Sequence, residues 1–222
     1  MSKPSSFSHL PFSSLLARPA LFQWIREFLD KCGISGSYYE FGVFNGESMC
    51  DAYYLLRDQV EKYVGFDSFE GLPEPSDIDK KSILLQPEFC KGNFKSAGFE
   101  TVQAVILASG LPRDKLVLVK GFLEHTLTKD LQRQLLSSAG KASVVHLDVD
   151  FLSSTQQALD FILPFLQTGT WILCDDYWTY RGASSFGTQK ALANFLSQHK
   201  DIRLQEYCSY RGWSKAFIVE KL

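Results

Sequence analysis

Short apolar strand-like runs alternate along this chain with helix-length amphipathic stretches. That alternation limits the fold more than any other feature. Strands are predicted at 37–42, 62–67, 115–120, 142–148 and 170–175. Helices are predicted at 21–31, 47–59, 99–108, 127–138, 153–167 and 186–199. A long loop carrying Gly71, Pro73, Pro75 and Pro87 follows the second strand. Strand–helix units in series demand a parallel sheet with helices on both faces. Two closing strands, 202–207 and 215–220, have no helix between them and should pair antiparallel. The class is α/β, Rossmann-like.

At 222 residues the chain can bury one substantial core, and no repeat or interior linker divides it. We therefore expect one domain over 21–222. Residues 1–20, with six Ser and three Pro, should form a flexible arm or a short lid. The formal charge of −2 gives no electrostatic footprint for nucleic acid or an anionic membrane. No run approaches the ~18 apolar residues of a membrane span, and no signal-peptide core is evident. Five scattered cysteines fit neither a zinc site nor a secreted disulfide framework, so the expected compartment is the cytoplasm.

In such sheets ligands bind beyond the carboxyl ends of the strands. Here those ends carry Glu40, Asp67, Gly121 with Glu124, Asp148 with Asp150, and Asp175 with Asp176. The first turn, Glu40 to Ser48 (EFGVFNGES), spaces its acid and glycines as E-x-G-x-x-x-G. A pyrophosphate site would want G-x-G-x-x-G, but Phe44 holds the middle glycine position. An acid ahead of the loop would repel pyrophosphate and attract a cationic amino-acid group, such as that of S-adenosylmethionine (SAM). Gly42 permits the sharp turn, and Gly46 permits close ligand approach to the helix start. Asp67 lies where a carboxylate holds a ribose diol.

Asp148, Asp175 and Asp176 should crowd together at neighbouring strand ends. Three carboxylates repel unless protons or a cation intervene, and oxygen-only ligands favour Mg²⁺ or a similar hard ion. Such an ion would lower the pKa of a bound hydroxyl, with one carboxylate accepting its proton. Asp150 reads equally as a helix cap or a metal contact. His146 reads first as a hydrogen-bonded core histidine and second as a base. Trp178, Tyr180 and Arg181 could line an acceptor pocket or pack as surface aromatics.

The segments EFGVFNGES (40–48), GFDSFEGLPEP (65–75), KGNF (91–94), VKGFLEHTL (119–127), HLDVDFLSST (146–155) and CDDYWTYRG (174–182) together resemble the macrocin O-methyltransferase family. That resemblance implies a seven-stranded, mostly parallel SAM-methyltransferase sheet with an antiparallel last strand. It implies donor contacts at Glu40, Gly42, Asp67, Ser68, Gly121 and Phe122, with Gly46 and Ser48 on the same side. It implies metal binding at Asp148, Asp175 and Asp176, with Asp148 also the candidate base. The partner it implies is a small-molecule hydroxyl acceptor such as a glycoside, and family members commonly form homo-oligomers. Leu152 stands where the family usually has Tyr, and the N-terminal segment is short beside lid-bearing members. Two other readings are weighed. A glycosyltransferase would use Asp148 and Asp150 as D-x-D but leave the glycine turn idle. A non-catalytic SAM-binding protein would not need the clustered acids.

Overall fold

A computed structural model describes residues 17–221. Most of the segment expected to be an arm or lid lies outside them. The first helix, α1 (Arg18–Cys32), starts three residues earlier than its apolar periodicity predicts, because Pro19 sits in its first turn, where φ is preset and no N–H is needed. It buries Leu21, Phe22, Ile25 and Leu29 and stops at Gly33, which takes a left-handed conformation. The chain continues as β1 (Gly36–Phe41), α2 (Glu47–Leu56) and β2 (Val60–Asp67), then α3 (Phe99–Ala108) and β3 (Leu116–Lys120). A one-turn helix α4 (Leu123–Thr126) precedes α5 (Lys129–Ser138), β4 (Ala142–Leu147), α6 (Leu152–Ile162) and β5 (Trp171–Cys174). The chain closes with α7 (Gly187–Gln198), β6 (Arg203–Tyr210) and β7 (Ser214–Lys221). α6 ends before the predicted 167 because Pro164 begins a short 3-10 turn there.

The seven strands lie in the order β3-β2-β1-β4-β5-β7-β6. β1 to β5 run parallel, and β7 is antiparallel to both β5 and β6. One apolar core fills each face of the sheet, and a smaller cluster of Leu72, Phe89, Phe151 and Tyr180 sits under the long β2–α3 loop. Strands β1 and β4 are buried along their whole length. Their polar members are therefore forced on one another: the register sets Glu40 directly beside His146.

Strand order reverses at β1. From there the chain builds outward through β2 and β3, then crosses to β4 on the other side. The crevice of an open α/β sheet opens at such a point, beyond the carboxyl ends of β1 and β4.

Candidate functional site

A cavity of about 260 Å³ occupies that crevice. It is lined by Gly42, Asp67, Ser68, Gly121 and Phe122 from the ends of β1 to β3 and by Asp148, Asp150, Asp175 and Asp176 from the ends of β4 and β5. Glu40, Gly46 and Ser48, expected on the same wall, do not line it.

Local backbone geometry explains these placements. Gly42 has φ of +91°, and a Cβ there would lie 1.8 Å from the carbonyl oxygen of Asp148. It is glycine because β1 and β4 approach this closely at their ends, where the Asp148 N–H donates to the Phe41 carbonyl at 2.9 Å. Asp67 ties the donor-side loops together. Its Oδ2 accepts from the N–H groups of Val43 and Phe44, each at 2.8 Å, and its Oδ1 from that of Phe69 at 2.6 Å. Gly46 caps α2, and a Cβ there would meet Ile106 Cγ1 at 2.7 Å, so packing rather than ligand approach requires glycine. Ser48 is buried and donates to Glu40.

Beneath the cavity runs a buried chain of charge. Glu40 Oε1 lies 3.0 Å from His146 Nδ1, and His146 Nε2 lies 3.1 Å from Asp175 Oδ1, at ion-pair distance though off the hydrogen-bond axis. Burial alone would lower the His146 pKa, but the Asp175 and Glu40 carboxylates overcome it and push the value up to about 10. The ring is therefore an imidazolium at neutral pH, with both N–H groups facing acids. Asp175 is further covered by Arg18 and Arg211, each 2.7 Å from Oδ2, and by the Tyr210 hydroxyl, which donates to Oδ1 at 2.6 Å. Burial would raise its pKa, yet His146 and Arg18 hold the carboxyl below the usual range.

The neighbouring acids show the opposite. Burial and the Asp175 and Asp176 charges push Asp148 well up. Burial and Asp148 push Asp150 to about 7. Burial and Asp150 push Asp176 well up. Asp176 Oδ2 is buried and meets no hydrogen-bond partner among the described residues. Ligand atoms of Asp148, Asp175 and His146 lie within 4.8 Å of one another, and the unpartnered Asp176 oxygen is next in chain to Asp175, so these acids could hold a hard divalent cation. Asp175 has its charge met already.

The structure separates readings that the sequence left open. Asp150 does not cap α6: it sits at φ of +59°, and the Ser153 N–H is met at 3.3 Å by Asp79 of the long loop instead. Trp178 is held outside the cavity, against Tyr177 with ring centroids 4.8 Å apart. Tyr180 is buried, its hydroxyl donating to the Asp150 carbonyl at 3.0 Å, and Arg181 does not line the cavity either. The aromatic wall comes from Phe94 in the long loop and from Trp213, beside Arg211, at the tip of the β6–β7 hairpin. The sequence reading missed Arg18, Arg211 and Trp213, although topology carried a signal for two of them. A strand antiparallel to β5 must begin beside the end of β5, and the register pairs Cys174 with Lys215. The hairpin tip before it therefore lands at the acidic rim.

A family model described as Macrocin-O-methyltransferase (TylF) matches residues 19–202. A curated relative from Streptomyces olivaceus, 8-demethyl-8-(2,3-dimethoxy-alpha-L-rhamnosyl)-tetracenomycin-C 4'-O-methyltransferase, is 29% identical over 149 residues, which are 65% of this chain and 54% of that protein. The chain thus spans about half the length of that relative. Among solved structures, the O-methyltransferase NovP superposes with a TM-score of 0.72 at 18% identity, covering 92% of this chain and 80% of its own. The calicheamicin methyltransferase CalS11 does so at 0.71 and 20% identity, covering 90% and 77%. At those identities the two structures establish the shared fold.

Proposed function

Since this chain belongs to the macrocin O-methyltransferase family, we propose that it transfers a methyl group from SAM to a hydroxyl of a small glycoside acceptor. The observation that carries the reading is the single cavity joining the donor-side residues Gly42, Asp67, Gly121 and Phe122 to the acids Asp148, Asp175 and Asp176. In-line transfer needs donor and acceptor to meet within one enclosed space.

In this reading Asp67 accepts from the ribose diol with lone pairs left free by its three backbone donors. Gly121, Ser68 and Phe122 border the adenosine. Glu40, buried beneath the cavity and off its wall, pairs with His146 and Ser48 and makes no donor contact in this reading. Asp148 takes the proton from the acceptor hydroxyl as that oxygen attacks the methyl carbon and the carbon–sulfur bond breaks. Asp148 and Asp176 would hold a divalent cation such as Mg²⁺, and Asp175 would join only by giving up an arginine. When bound, that ion would make the acceptor hydroxyl more acidic and offset the crowded negative charge. The tetracenomycin relative acts on a rhamnosyl group by its name, so rhamnosides are the first acceptors to try.

Thermal shift with SAM, S-adenosylhomocysteine and UDP-sugars, each with and without Mg²⁺, tests the assignment. A ligand at ~100-fold its Kd adds about 2.7 kcal/mol of stability. We expect stabilisation by SAM and S-adenosylhomocysteine. A response to UDP-sugars alone would replace this reading with that of a glycosyltransferase.

A further inference from the structure

Three large aromatic side chains sit around one cavity mouth with much of their surface in water: Trp213 at 47%, Phe94 at 49% and Phe44 at 42% exposure. Exposed aromatics gathered on a concave wall mark a surface that a ligand covers. Trp213 differs from the other two in its neighbours. The Arg211 guanidinium lies 5.3 Å from its ring centroid and also pairs with Asp175 at 2.7 Å. The Trp213 carbonyl accepts from the Trp178 N–H at 2.8 Å, and next in chain the Ser214 hydroxyl donates to the Asp175 carbonyl at 2.6 Å. The hairpin tip is thus fastened to the acidic rim, and the indole is held there.

The geometry points to Trp213, steadied by Arg211, as the specificity wall of the acceptor subsite, stacking on an apolar aryl group carried by the acceptor glycoside. This inference rests on the methyl-transfer reading and deepens it. In that reading the donor lies against the ends of β1 to β3, so an in-line acceptor must enter from the side of the acids at the ends of β4 and β5. Trp213 borders that side. Its indole and Phe94 line the same cavity with flat apolar faces, which an aromatic aglycone matches by stacking.

The test is calorimetric titration of the enzyme loaded with S-adenosylhomocysteine, using p-nitrophenyl α-L-rhamnopyranoside and methyl α-L-rhamnopyranoside. The wild type should bind the aryl glycoside ~10-fold more tightly, the scale of one good aromatic contact. In Trp213→Ala that preference should fall to about 2-fold or less, while Trp213→Phe restores most of it. Both variants should hold S-adenosylhomocysteine as the wild type does, since the residues at the ends of β1 to β3 are untouched. Retained aryl preference in Trp213→Ala overturns the inference, as does a loaded wild type that prefers neither glycoside. A wild type that fails to bind S-adenosylhomocysteine overturns the methyl-transfer reading itself, so the two failures are told apart.

Discussion

Replacing His146 with Leu should destabilise the fold through one carboxylate more than the other. The ring stands between Glu40 at 3.0 Å and Asp175 at 3.1 Å, with the Tyr38 hydroxyl at 3.0 Å. Without it, Asp175 still has Arg18, Arg211 and Tyr210. Among the described residues Glu40 keeps only Ser48, its Oε2 meets no partner, and its side chain is 0% exposed. The loss therefore falls on a buried acid with no counter-charge, which costs about 3–5 kcal/mol. At about 2–4 °C per kcal/mol for a chain of this size, Tm should drop by roughly 6–20 °C. Urea denaturation of His146→Leu, Glu40→Gln and the double variant completes the argument. Neutralising Glu40 removes the lone charge, so the double variant should be more stable than the sum of the singles by about 1–3 kcal/mol. Additivity within about 0.5 kcal/mol would show that the imidazolium and Glu40 do not act as a pair.

Other outcomes follow from the same geometry. Asp148→Asn should lower turnover by at least ~10²-fold, the lower end for lost base assistance, while S-adenosylhomocysteine binding stays intact by calorimetry. If the wild type keeps full activity after EDTA treatment, the cation is not needed. Asp67→Ala should weaken SAM binding and also cost about 1–3 kcal/mol of stability, because three backbone donors lose their acceptor; an unchanged Kd would remove the ribose contact. Gly46→Ala should cost about 1–2 kcal/mol for its φ of +85° alone, with SAM affinity unchanged if its role is packing against Ile106.

The sheet was legible because strands buried on both faces read as unbroken apolar runs and each helix between them kept its period. The α3 bounds match the reading, two helix ends moved where Pro19 and Pro164 intervene, and others, such as the ends of α2 and β6, moved by about three residues. The strand-end acids were legible for the same reason, since strand ends share one rim. Which of those acids face the ligand was not legible. Glu40 and Ser48 lie in the donor motif yet point into the sheet, where His146 from the neighbouring strand meets them. Nothing in the interval 40–48 encodes that pairing; it comes from the register of β1 against β4. Arg18 was hidden for a different reason. Three prolines and six serines suggested an arm, while the residue that matters opens the helix behind it.

The charges gathered at the rim bear on why Asp175 is so heavily covered. Glu40 and Asp175 are met by His146, Arg18 and Arg211, which leaves this buried layer with one positive charge. Asp148, Asp150 and Asp176 lie against it, and if all three ionise the cluster carries two negative charges. A proton on one of these acids removes one of them, while a single divalent cation removes both. The arginines therefore do not compete with a cation for the site. By neutralising Asp175 they confine the unmet charge to the acids on the cavity wall, where an acceptor hydroxyl and the sulfonium of the donor would meet.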